Sequence, residues 1–336
     1  MKYLRIFRIL MASTFVVVLG GSLSGCDSNT IQAGNTLSQD GNAAALAYVA
    51  YMNNTIEAIK ANCDSENFQN FVNSYIANRD VTASLQKSAI ATIYASAGKC
   101  YDTSPNSATA RFRAMAQDGQ QVANVYASLS RLTDGKNQIN VQTKFDSTVS
   151  DIQTASKQTI NASLKTGMDE AVSALVGHYD AKGVVNFAND MQKVPTELAK
   201  SLTDNAEKLD EIYKLYDDDM NKAISLAYQA QVADTTPVLQ QYFEKLNLKI
   251  TSADSENPFL AGFAASLHQM PIASNSKQAR LKLINLLKNV STESAGIVNA
   301  KTKPMSLANL VSDVNLSIKI ISEILHPQTI SPQPVK

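Results

Sequence analysis

From Leu46 onward, apolar residues recur at steps of three and four, and this periodicity limits the fold more than any other feature of the chain. Leu46, Val49, Met52, Ile56, Ile59 and Cys63 form one such set. Phe68, Phe71, Val72, Tyr75 and Ile76 form a second, and Val81, Leu85, Ala89, Ile93, Ala97 and Cys100 a third. Spacing of this kind puts each set on one face of an α-helix. Asp64 and Asp80 stand where N-caps belong, so residues 43–100 are expected to form a three-helix unit. Connections this short make neighbouring helices antiparallel. Cys63 and Cys100 would then meet at the same end.

Residues 101–107 (YDTSPNS) read as a linker. After them Ala108, Phe112, Met115, Gly119, Val122, Tyr126 and Leu129 alternate steps of four and three, the pattern of a coiled-coil seam, with Gly119 at a close helix crossing. A turn at 133–136 leads to a long helix over 139–176. Residues 178–183 break the pattern, and another long segment runs over 184–232 with a pause at Val194-Pro195, where Pro195 suits a first helical turn. About 38 residues at 1.5 Å each would reach nearly 57 Å. These two, with a short helix over 237–246, would make residues 108–246 a long-helix bundle built on an antiparallel hairpin. Residues 249–258 read as a loop or one short strand. Three further helices (259–269, 277–289 and 306–325) fill residues 258–325, and the proline-rich tail 326–336 reads as disordered. No fixed-period repeat is present. The expected fold is therefore all-α, an elongated helical bundle.

The first 42 residues differ from the rest. Lys2, Arg5 and Arg8 precede an apolar run from Ile9 to Leu19, too short to cross a hydrocarbon core that needs roughly twenty residues. Such a charged start and short apolar run have the proportions of a secretory leader. At its end, Leu23-Ser24-Gly25-Cys26 resembles the lipobox of bacterial lipoprotein precursors. The resemblance covers the first 26 residues and none of the remainder. It implies a signal peptide over 1–25, removal of that leader, and acylation of Cys26. Asp27 behind the cysteine resembles an inner-membrane retention signal, against the outer membrane as the usual destination. Acyl chains bury about 0.8 kcal/mol per CH₂, so two or three anchor stably where one does not. Residues 26–42, polar with Gly and Asn, read as a lipidated flexible tether that would hold the body about 20 Å from the bilayer. The mature chain would face the periplasm.

Charge narrows the partners. Without the leader, 27 basic residues face 30 acidic ones, a net charge of −3. No basic stripe suggests nucleic acid. An apolar fraction of 44% is enough for a core. With Cys26 acylated, Cys63 and Cys100 remain, and an even pair in an oxidising compartment points to a disulfide.

Candidate chemistry is sparse. Ser84-Leu85-Gln86-Lys87 and Lys165-Thr166-Gly167 resemble two signatures of penicillin-recognising serine enzymes, yet the second belongs on an edge strand and here lies in a helical pattern. The run Tyr216-Asp217-Asp218-Asp219 lacks the glycine and distal glutamate of a calcium loop. On a helix, Asp210 with Lys214 and Asp218 with Lys222 would make i,i+4 pairs on a solvated face. His178, His268 and His326 have no metal or catalytic spacing. The apolar stretch 257–267, with Phe259, Phe263 and Leu267, is the best candidate for a partner or ligand face. No catalytic residue, cofactor or metal is expected. The combined expectation is a non-enzymatic, lipid-anchored periplasmic protein acting through protein contacts. The alternative is a carrier of a small or lipidic ligand between helices.

Overall fold

A computed structural model of the chain describes residues 2–77, 107, 109–133, 161–177, 181–229, 271–299 and 307–326, with side chains from Ser28 onward except at 71, 74–77, 131–132, 175–177 and 227–229. Among these residues every regular element is an α-helix. In chain order they are α1 (Lys2–Ala77), α2 (Ala110–Thr133), α3 (Ala162–Gly177), α4 (Ala181–Met191), α5 (Val194–Asp204), α6 (Ala206–Gln229), α7 (Ile272–Val298) and α8 (Ala308–Leu325). The all-α expectation is met. They divide into two compact units. Unit 1 comprises Met1–Val49, Ala116–Thr203 and Lys282–Val314, and unit 2 comprises Ala50–Met115, Asp204–Leu281 and Asn315–Lys336.

Helix α1 departs most from the sequence reading. The residues expected to be a flexible tether are helical, and Ala33, Gly34, Leu37, Ser38, Asp40 and Gly41 among them are buried. Their polar, glycine-rich composition has a packing origin. Gly34, Ser38, Gly41 and Ala45 recur at steps of four and three, a stripe of small residues that lets other helices approach closely. A Cβ on Gly34 would lie 2.6 Å from a Val184 methyl, and one on Gly41 would overlap the Tyr126 ring. Nor does α1 stop at Cys63. It continues through Asp64, which is exposed within the helix rather than capping a new one, and Ser65 is buried. The expected third helix, residues 81–100, lies outside the described residues.

The apolar face of α1 is also broader than the predicted stripe. Leu46 is 44% exposed, whereas Ala44, Ala45, Ala47, Tyr48, Tyr51, Met52, Thr55, Ile56 and Ala58 are all buried. Buried positions at consecutive residues mark a helix packed on more than one side.

Unit 1 is built around Tyr126 of α2, which is fully buried and meets Phe187 of α4 edge to face at 6.0 Å. The predicted α2 seam is present within each unit: Phe112 and Met115 are buried in unit 2, and Gly119, Val122, Tyr126 and Leu129 in unit 1. A Cβ on Gly119 would stand 2.7 Å from the Tyr48 ring, so this glycine does mark a close crossing. Tyr48 carries its hydroxyl to Ser201 on α5 at 2.8 Å.

The two long helices foreseen between residues 139 and 232 are shorter. Helix α3 begins at Ala162, because the Asn161 side chain accepts the Ser163 N–H at 3.2 Å and the Asn161 carbonyl accepts that of Lys165 at 3.0 Å. That is an N-cap, and it starts a helix rather than continuing one. Residues 139–160 lie outside the described residues. The segment after Lys182 is three helices. The expected pause is present: the chain turns at Gln192-Lys193 and α5 starts at Val194 with Pro195 in its first turn, and the Gln192 carbonyl is satisfied by the Ser291 hydroxyl of α7 at 2.7 Å. The second falls at Asn205, whose carbonyl starts α6 by accepting the Leu209 N–H at 2.9 Å. Asp204 and Asn205 offer the backbone local alternatives to the helical ladder. Helices α3 and α4 pack against each other within unit 1.

Helix α7 overruns its expected 277–289 span at both ends. Beyond Asn289 lies Ser-Thr-Glu-Ser, which looks like a terminus by composition. Thr292 and Ser294 instead return their hydroxyls to the carbonyls of Lys288 and Val290, which satisfies them inside the helix. Helix α8 agrees with the sequence reading to within two residues. Residues 237–246, 259–269 and the tail beyond His326 lie outside the described residues.

In unit 2 a chain of buried hydroxyls joins α1, α6 and α7. Tyr51 bonds Ser276 at 2.8 Å, Thr55 bonds Tyr213 at 3.1 Å, and the two tyrosine rings meet at 6.1 Å. Burial raises the Tyr213 hydroxyl well above its ordinary value and pushes Tyr51 up to about 12, so both stay neutral hydrogen-bonding groups. Asn54 donates to the Ile318 carbonyl of α8 at 3.0 Å, and Asn62 to the Ile212 carbonyl of α6 at 3.1 Å.

Candidate functional site

The acidic run of α6 turns inward. Asp217 accepts the N–H groups of Ile272 and Ala273, the first two of α7, at 2.9 and 3.0 Å. Free N–H groups and a partial positive charge at a helix start make this a natural seat for a carboxylate. Asp210 does not pair with Lys214 on a solvated face. Both of its oxygens accept from one terminal nitrogen of Arg280, at 2.7 and 2.8 Å. Lys222 reaches Asp219 at 3.3 Å, one step short of the predicted Asp218. Two of the four acidic positions, Asp210 and Asp217, therefore hold α7 against α6, while the Asp219 carboxylate pairs within its own helix. The fourth, Asp218, lies on the same helix without a described contact. Among the described residues no group of three or more His, Cys, Asp and Glu could hold a metal.

A shallow cleft of about 420 Å³ lies in unit 1 between α3 and α4. Asp169, Glu170, Ser173 and Ala174 line it from α3, and Asn186, Asn189 and Asp190 from α4. The lining carries three carboxylates and no basic group. Ser173 spends its hydroxyl on the Asp169 carbonyl at 2.8 Å, and Asn189 donates to Asp190 at 3.1 Å. With the Ser173 hydroxyl turned to a backbone carbonyl, the cleft offers negative potential and amide hydrogen bonds. Its residues stand at i, i+1, i+4, i+5 on one helix and i, i+3, i+4 on the other. That spacing was readable; the pairing of the two helices face to face was not.

The predicted site residues fall as follows. Cys26 lies in α1 ahead of the first described side chain. Cys63 sits on α1, half-buried, and Cys100 lies outside the described residues. Phe259, Phe263 and Leu267 lie outside them too, as do Ser84, Lys87, His178 and His268. Lys165-Thr166-Gly167 is helical within α3, so it cannot form the strand element of a serine enzyme. Gly167 has a packing role, since a Cβ there would stand 2.8 Å from Val194. His326 is exposed just past α8 and donates its N–H to the Ser322 carbonyl.

Sequence reasoning missed the buried carboxyls. Glu293 on α7 has both oxygens shielded and without a hydrogen-bond partner. Burial, then the charge of Asp40, pushes it up to about 8. Asp118 on α2 is raised to about 6 by burial, partly offset by a bond from the Asn161 N–H at the start of α3.

Comparison with protein-family models, with curated proteins and with solved structures finds no match to this chain. Among the described residues no helix is long and apolar enough to cross a membrane.

Proposed function

We propose that this chain is a bacterial lipoprotein whose helical body works through protein contacts on the periplasmic side of a membrane, as a scaffold, assembly factor or inhibitor. Leu23-Ser24-Gly25-Cys26 supports the attachment, with acyl chains on Cys26 and Asp27 favouring the inner membrane. The contact reading is carried by the α3–α4 cleft. It is open and lined by three carboxylates with no basic group, which suits a cationic side chain at a protein interface. A carrier of lipidic ligands needs an enclosed pocket without a cluster of carboxylates instead. In the same compartment Cys63 is proposed to pair with Cys100.

Four measurements test this. Cys26→Ser should abolish fatty-acid labelling and move the protein from the membrane to the soluble fraction; unchanged labelling removes the lipoprotein reading. Crosslinking in intact membranes should capture a reproducible protein partner. A co-purifying small mass in native mass spectrometry, with no such partner, would favour the carrier. Finally, Cys63→Ser and Cys100→Ser should each abolish a reduction-dependent change in gel mobility.

A further inference from the structure

In unit 1, two carboxyl groups from different helices share one buried region at the entry to α8. Asp40 of α1 is 8% exposed and accepts the N–H of Leu307, the residue before α8, at 3.1 Å. Glu293 of α7 lies close enough to feel that charge, with both oxygens shielded and no hydrogen bond. From α2, the buried Tyr126 ring carries its hydroxyl toward the same place, beside Ser294. Asp40 and Tyr126 are the titratable groups facing Glu293; among the described residues no lysine, arginine or histidine acts on it.

A shielded carboxylate with no donor and an anion beside it is unfavourable, because burial disfavours the charged form and a like charge disfavours it further. Asp40 has a backbone donor, so it ionises first, and Glu293 keeps the proton. We propose that Asp40 and Glu293 form a proton-operated latch on the entry to α8: neutral Glu293 keeps α7 packed against α1, and its ionisation loosens that contact and the seat of Leu307. Nothing in this proposal depends on the lipoprotein reading.

The sign follows from linkage. Glu293 holds its proton to about 8 in the folded chain against an ordinary 4.5, so between those values the folded state binds one more proton than the unfolded state. Stability then falls as pH rises through this window and levels off above it.

The test uses the full chain. The melting temperature of Glu293→Gln minus that of wild type should be at its minimum at about pH 4, grow by several degrees by about pH 8, and stay constant above. Asp40→Asn, which still accepts the Leu307 N–H, should leave the onset of that growth in place but make it level off at lower pH and at a smaller final difference. Parallel melting curves of wild type and Glu293→Gln across the whole range would overturn the latch. If the variant does not fold, carboxyl ¹³C titration of the wild type decides: one glutamate should titrate near 8, and midpoints all below about 6 would overturn the latch equally.

Discussion

Asp217 on α6 accepts the backbone N–H of Ile272, the first residue of α7, at 2.9 Å, and its second oxygen takes Ala273 at 3.0 Å. The same device recurs at α8, where Asp40 of α1 receives the N–H of Leu307 just before the helix. Ordinarily a helix start is capped by its own preceding residue. Here an aspartate from another helix does it, so capping and tertiary packing become one interaction.

Loss of that carboxylate should therefore weaken two things together. Asp217→Ala is expected to destabilise unit 2 by about 1–2 kcal/mol, and Asp217→Asn, with a single acceptor oxygen, by roughly half as much. Urea denaturation followed by circular dichroism measures both. Equal stability of Asp217→Ala and wild type would show that the Ile272 and Ala273 N–H groups do as well in water.

The small-residue stripe on α1 leads to a steric prediction. Gly41→Ala puts a methyl into the ring of Tyr126, which is fully buried against Phe187 and has no room to withdraw. Overpacking of this kind costs about 1–3 kcal/mol. A mid-helix glycine otherwise gains up to about 1 kcal/mol on becoming alanine. A melting temperature below that of wild type is expected, and a rise would mean that residues 28–42 are not packed as described.

Arg280 and Asp210 give a third. The Arg280 side chain is 5% exposed while that of Asp210 is 38% exposed, so the two partners are not equivalent. Asp210→Ala strands a buried guanidinium and should cost about 2–4 kcal/mol. Arg280→Met leaves an aspartate that water can reach and fills the same space, so it should cost less. A double-mutant cycle on these positions checks the order, and equal losses would contradict it.

Much of the helical content was legible in the sequence, because steps of three and four at Phe112, Met115, Gly119, Val122, Tyr126 and Leu129 report which face is buried without reference to any neighbour. The failures share one cause. Residues 28–42 were judged by polarity, yet a glycine or serine at a helix crossing is buried for its size. Asp64 was judged a cap by its type, but a tightly packed helix carries an aspartate through on its exposed side. The Asp40–Glu293 pair was hidden for another reason, since it joins residues far apart in the chain, and the α3–α4 cleft depends on which faces two neighbouring helices turn to each other.

The sequence by itself determined that this chain is helical and where most apolar faces lie, since periodicity is a local property of covalent spacing. It also carries the Leu23-Ser24-Gly25-Cys26 resemblance, which no packing is needed to read. Only the tertiary structure decided how long each helix runs, which aspartates cap which helices, and which carboxyl is denied a donor. Those outcomes depend on which surfaces meet, and a buried glycine or charge takes its meaning from the side chain opposite it.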